Sequence, residues 1–281
     1  MGSKRKQEKL MMNKILKSAA VAAAAIMLIV PTGSDARTLD EIIKSGTIKV
    51  GTTPNLPPLS SRNTKGEWEG FDIDIAKLLA AKMGVKVEFV PTDVPARVPS
   101  VVSGLTDFGM GAITRNSRRM KVVDFTVPLH TENLAVLLTD KVKGVTKWQD
   151  LNDPKYTLVG CRGCGPVKFV QANVPKAKLL LVENPADMVR SVAQGRANGL
   201  IANLDFYPAL LRAHPSVNWV ILPNIIRTAY CAIAVQKGNH SLTSFLNAAL
   251  WEIQNPGIHN DLWEKHYGVP PIVAVKAQPY W

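Results

Sequence analysis

Three consecutive stretches decide the fold class: Thr47–Thr52 (TIKVGT), residues 70–83 (GFDIDIAKLLAAKM) and residues 85–90 (VKVEFV). The first alternates apolar and polar side chains, the period of a half-buried strand. In the second, Ile73, Ile75, Leu78 and Leu79 recur at helical spacing, which predicts a core-facing helix, and Gly84 stops it. The third returns to strand. Downstream, 98–102 reads as a short helix ended by Gly104, 107–111 as a strand and 133–138 as a long apolar strand. A second series of the same kind begins at 156–161 (YTLVGC). It predicts helices at about 166–172, 186–194 and 204–213, strands at 178–182, 199–202, 219–222 and 230–235, and closing helices at 242–254 and 260–266. Strands alternating with helices mean an α/β fold with largely parallel sheets, and two series predict two sheets. Ligands of open α/β sheets sit outside the carboxyl ends of the strands, so two such sheets facing one another place a site in the cleft between them.

The chain has 281 residues, enough for two compact domains, and 46% hydrophobic with 20% charged residues is ordinary globular composition. Of the formal charge of +12, residues 1–36 contribute +4 from six Lys/Arg and two Asp/Glu, leaving a basic remainder of +8. Those later charges are scattered singly, without the clustered basic face and interleaved aromatics of a nucleic-acid binder, and that class is excluded.

The N-terminus reads as an export signal. Lys4, Arg5, Lys6, Lys9, Lys14 and Lys17 precede twelve apolar residues at 19–30, and Ser34-Asp35-Ala36 offers small residues at a cleavage site. Twelve apolar residues fall short of a bilayer span. The expected product is a periplasmic chain starting at Arg37. Cys161, Cys164 and Cys231 are too few for a zinc site. In an oxidising compartment two of them could pair, and the alternative is that Cys161 and Cys164 are simply small residues lining a tight loop. No metal or cofactor is expected.

Residues 111–125, GAITRNSRRMKVVDF, followed by Thr126-Val127-Pro128, resemble the signature of the polar amino-acid family of bacterial periplasmic binding proteins, family 3. Family-like segments flank it in order: Gly70-Phe71-Asp72-Ile73-Asp74, Arg97-Val98-Pro99, Gly195-Arg196-Ala197, and Trp263-Glu264-Lys265-His266-Tyr267-Gly268. The resemblance covers residues 38–268. It implies a type II two-lobed fold, with lobe one at 37–129 and 232–281, lobe two at 130–231, and crossovers near 129–133 and 227–231. It further implies a monomeric substrate-binding subunit that delivers a small carboxylate or amino acid to two permease subunits and an ATPase.

Carried over residue by residue, the resemblance puts Arg119 on the ligand carboxylate, a role suited to a planar guanidinium with two parallel donors. Thr114 would supply a hydroxyl, and Gly111 and Ala112 backbone carbonyls for an ammonium. The lobe-two loop Cys161-Arg162-Gly163-Cys164-Gly165 would close on the carboxylate through backbone N–H groups at a helix start. Arg97 would add a second cation near the cleft mouth. The sequence departs from the family where Asn203 and Thr53 stand in place of common acidic residues, and where Leu56 and Val94 replace aromatic walls. These departures tilt the expected ligand toward an acid, such as a dicarboxylate or a modified amino acid. The competing reading is an enzyme on the same scaffold, a dehydratase of cyclic prephenate-like acids. It would need a raised-pKa acid, for which Glu183, Asp205 and the hinge residue His130 are the candidates.

Overall fold

The computed structural model describes residues 37–162 and 164–277; the expected export signal at 1–36 lies outside the described residues. The chain opens with α1 (Leu39–Ser45), whose start is fixed by a reciprocal cap between Thr38 and Glu41. Strand β1 (Thr47–Thr52) follows, then a small meander of β2 (Asn55–Leu56), β3 (Ser60–Arg62) and β4 (Trp68–Glu69). Helix α2 (Phe71–Met83) buries Ile73, Ile75 and Leu79 and ends at Gly84 in the left-handed region, as its sequence predicts. Then come β5 (Lys86–Pro91), α3 (Arg97–Val102) and β6 (Phe108–Gly109). Strand β7 (Val123–Thr139) leads to the second series: β8 (Thr157–Cys161), α4 (Gly165–Asn173), β9 (Lys178–Val182), α5 (Pro185–Ala193) and β10 (Gly199–Asn203). Helix α6 (Pro208–Arg212), β11 (Trp219–Ile221), β12 (Arg227–Gln236), α7 (His240–Gln254) and α8 (Ile258–Tyr267) complete the order.

The two expected sheets are one. The strand order is β5-β1-β6-β12-β7-β10-β8-β9, with β11 paired to β7. The joint is β7, which runs 17 residues instead of the expected six and pairs along most of its length with β12. At about 3.3 Å per residue it is roughly 56 Å long, enough to cross both halves. Pairing in each half is parallel (β1 with β5 and β6, β8 with β9 and β10), whereas β7 and β12 run antiparallel to their partners. The register of β7 and β12 shifts around Ala232, opposite Pro128. Proline has no N–H to give to the ladder, so the pairing is interrupted here. The Thr126 hydroxyl accepts the Ile233 N–H at 3.1 Å.

Burial separates two lobes. One core gathers Ile48, Val50, Phe71, Ile75, Phe108, Ile233, Leu246 and Trp263 on one face of the first half, with Val101, Ile113, Val123 and Phe125 on the other. In the second half β7 is buried on both faces: Leu134, Val136 and Leu138 pack one way, Ala135 and Leu137 the other. This is why 133–138 reads as a continuous apolar run and not as an alternation.

Candidate functional site

The expected site residues fall into two groups. The first surrounds Gly111 in lobe one. Gly111 has φ 90° and Ala112 φ 58°, the one described non-glycine residue in the left-handed region. A Cβ on Gly111 would lie 3.2 Å from the Thr53 hydroxyl oxygen and 3.5 Å from Arg97 Cδ, so glycine lets three expected contacts share one wall. The Gly111 N–H donates to Asp72 Oδ2 at 2.8 Å. Thr53 and Arg97 are 6% and 8% exposed, yet Thr53 Oγ1, Arg97 Nη1 and Asp72 Oδ1 have no hydrogen-bond partner among the described residues. Such atoms are costly to bury without a partner, and three of them gather around Gly111.

Arg119 belongs to the same region. Its backbone N–H donates to Asn116 Oδ1 at 3.0 Å and its Nη1 to the Thr114 carbonyl at 2.7 Å, which folds the guanidinium back along the strand end. Thr114 forms an isolated bridge with Cys231, the buried free thiol, whose pKa burial pushes well up.

A further acid stands here that the sequence reading missed. Glu132, in the middle of β7, is pushed up to about 7 by burial, while the charges of Arg97, Arg227 and Arg119 pull it down and Asp205 pushes it up. Asp72 is also raised to about 7 by burial, against the Gly111 hydrogen bond and the Arg97 charge. Burial in turn lowers the Arg97 pKa, with the neighbouring Arg119 charge adding to the effect. The signal for Glu132 was slight: an acid between Thr131 and Asn133, directly before the apolar run 134–138.

The second group lines a cavity of about 680 Å³. Cys164, Gly165 and Asn203 are on its wall, at the carboxyl ends of β8 and β10, and Leu56 faces them from lobe one. Arg119, Thr114, Gly111, Ala112, Arg97 and Thr53 do not line it, so the structure does not bring the two groups into one chamber. The expected lack of aromatic walls is corrected by Tyr207 and Tyr267, which line the cavity from α6's approach and the end of α8. Tyr267 stacks on Trp263 with ring centres 3.8 Å apart.

Cys161 and Cys164 are joined in a disulfide with Cα atoms 5.4 Å apart, which decides between the two readings of that pair. Arg162 is corrected: its guanidinium reaches over exposed surface to Glu183, with Nε 2.9 Å from the carboxylate, and it does not line the cavity. Glu183 is thereby spent at the surface. Asp205, a candidate acid for the enzyme reading, is buried and accepts the Asn133 side-chain N–H at 2.8 Å and its backbone N–H as well, tying lobe two to the hinge strand. His130 packs against Phe71 and Trp263, and burial lowers its pKa to about 4, which keeps it neutral. No group of three or more His, Cys, Asp or Glu residues among the described residues has the arrangement of a metal site. No described helix is long and apolar enough to cross a membrane.

A two-lobed α/β chain bent at a pair of long antiparallel strands, with polar groups and a cavity at the carboxyl ends of its parallel strands, has the type II periplasmic-binding-protein fold. The model of bacterial extracellular solute-binding proteins, family 3, matches residues 48–269, and the chain belongs to that family. Among its relatives, the L-cystine-binding protein TcyJ of Escherichia coli is 26% identical over 250 residues, 89% of this chain and 92% of that one. Cyclohexadienyl dehydratase of Pseudomonas aeruginosa is 26% identical over 199 residues, 70% of this chain and 74% of that one. Among solved structures, an ancestral cationic amino-acid solute-binding protein superposes with a TM-score of 0.73 at 32% identity, covering 82% of this chain and 99% of its own.

Proposed function

We propose that this chain is the substrate-binding subunit of an ABC importer, exported to the periplasm, and that it captures an amino acid or related small carboxylate between its lobes for delivery to membrane permease subunits. Lobe one would comprise 37–129 and 232–281, lobe two 130–231, with the β7–β12 ribbon as the hinge. The observation that carries the reading is the wall around Gly111: buried Arg97 and Thr53 hold donor groups that no described protein group satisfies, beside Arg119. Hinge closure would bring this wall onto Cys164, Gly165 and Asn203. A thermal-shift screen of the purified protein against amino acids, dicarboxylates and aromatic acids tests it, with Arg119→Ala in parallel. A ligand at a hundred times its dissociation constant should stabilise the fold by about 2.7 kcal/mol. That shift should vanish in Arg119→Ala; a hit that survives in the variant removes Arg119 from the site.

One observation favours the enzyme as a second reading. Glu132, with its pKa raised to about 7, is the kind of group a dehydratase needs to protonate a leaving hydroxyl. One relative is named as such an enzyme. Turnover of a prephenate-like acid that is lost in Glu132→Gln would establish it.

A further inference from the structure

We propose that the ligand is a carboxylic acid with a bulky apolar body and without the α-ammonium group of an amino acid. This rests on the binding reading above and concerns the same cleft. The first observation is the cavity itself: at about 680 Å³ it falls within the range of small-molecule sites, and it is lined by Leu56, Val167, Met188, Ile201, Tyr207 and Leu210 among others. Its lobe-two wall also carries the Cys161–Cys164 disulfide, an apolar and polarisable surface where neither sulfur can act as a thiol donor. A short polar metabolite would leave most of this surface against water; an aromatic or branched body would cover it, at about 25 cal/mol for each Å² removed from water.

The second observation is the absence of a counter-charge for an ammonium. No Asp or Glu is among the described residues lining the cavity. The polar side chains that do line it are committed or neutral. Asn184 caps α5 by accepting the Asp187 N–H at 2.9 Å, His266 is held by Asp74 at 2.8 Å, and Asn203 carries no charge.

The third is the balance of charge on the lobe-one wall. Glu132 and Asp72 are acids, but they stand among Arg97, Arg119 and Arg227, and Glu132 interacts with all three guanidinium groups. With both carboxyls held near half-protonation at neutral pH, the cations outweigh them. Arg97 Nη1 and Thr53 Oγ1 are themselves enclosed by the protein, so what reaches a ligand is the net positive charge of this group, which favours a carboxylate and disfavours an ammonium. An unpaired ammonium in a dehydrated cleft is costly, so amino acids are selected against.

Matched pairs that differ only at the α-position make the test: L-phenylalanine against phenylpyruvate and 3-phenyllactate, and L-leucine against 4-methyl-2-oxopentanoate. L-arginine, L-glutamine and succinate complete the set, and binding to the purified protein is measured by calorimetry. The expected result is that the oxo or hydroxy acid binds at least about tenfold more tightly than its amino acid, the ratio that 1.4 kcal/mol supplies. Asn203→Asp, which puts a carboxylate on the cavity wall, should move the ratio toward the amino acid by about tenfold or more. Tighter binding of the amino acid in each pair, or binding confined to arginine, glutamine or succinate, overturns this inference and leaves the importer reading intact. No binding by any member of the set overturns both.

Discussion

The two groups of expected site residues have opposite chemistry. The lobe-one wall is polar and over-supplied: Thr53, Asp72 and Arg97 are almost fully buried, each with an atom that no described protein group satisfies, and three arginines crowd Glu132. The lobe-two wall is apolar and self-sufficient. Its charged neighbours Arg162 and Glu183 neutralise one another on the outside, and its loop is closed by a disulfide. The difference implies a division of labour on the proposed reading. Lobe one holds the charged end of a ligand at a cost in its own stability, and lobe two supplies shape. Polar groups poised for a ligand are a standing penalty in the empty protein, which is the usual relation between a site and the stability of its scaffold.

The largest effect should come from the strand that serves both walls. The Asn133 side chain donates to Asp205 at 2.8 Å and to the Thr131 hydroxyl at 2.9 Å, and accepts from the Thr228 hydroxyl at 2.8 Å. Asn133→Ala removes all three bonds and leaves a buried carboxylate with reduced compensation, a loss of about 3 kcal/mol by urea unfolding. A loss under about 1 kcal/mol would mean that water replaces the side chain and that the lobes are not pinned together at this point.

The lobe-one wall has a pH signature. Glu132 keeps its proton in the folded protein up to about 7, whereas an ordinary Glu ionises near 4.5. Its contribution to stability is therefore fully present below about 4.5 and is lost as pH rises through about 7. Glu132→Gln lacks that loss, so the variant should gain on the wild type between pH 5 and pH 8 by on the order of 2–3 kcal/mol. Asp72 has the same sign, while His130, lowered to about 4, has the opposite one; both cancel in the comparison of variant with wild type. A difference that stays constant with pH would show that Glu132 is ionised in the folded state and paired with the arginines.

Much of the fold was legible in the sequence, and the exceptions have physical causes. Helix α2 and its stop at Gly84 follow from period and punctuation alone. The length of β7 does not, because Pro128 and the polar triplet Thr131-Glu132-Asn133 look like a strand end. Pairing with β12 nearly a hundred residues later carries the ladder through. Tyr267 reaches the cavity only because α8 returns to it from the far end of the chain, which no local pattern reveals. The disulfide was one of two readings of Cys161 and Cys164, since a two-residue spacing suits a closed loop and a bond equally. Arg162 was misplaced because Glu183, 21 residues on, is its neighbour in space.

The lobe-two wall should answer to its cross-link by a smaller amount. The disulfide closes a loop of four residues, for which chain entropy gives about 2 kcal/mol of stabilisation. Replacing both Cys161 and Cys164 with Ser should lower stability by that amount. It should also admit polar ligands more readily than the disulfide form does, since two hydroxyls replace an apolar surface. If the lobe-one wall alone sets ligand choice, the ligand ranking will not change.

The smallest effect belongs to a contact between Arg212 and the last helix. Arg212, at the end of α6, donates from Nη1 and Nη2 to the Tyr267 carbonyl at 3.3 and 3.2 Å. That carbonyl closes α8, where unsatisfied C=O groups and the negative end of the helix dipole favour a cation. The guanidinium also covers Gly268, where an added Cβ would lie 3.1 Å from it, so the turn after α8 and the arginine fit each other. Arg212→Ala should cost about 0.5–1 kcal/mol. Arg212→Lys separates the two sources of that energy, because lysine keeps the charge and loses the fork. Recovery of wild-type stability in the lysine variant would assign the contact to the dipole alone. Failure to recover it would show that the paired N–H groups and their packing over Gly268 hold the lobes in register.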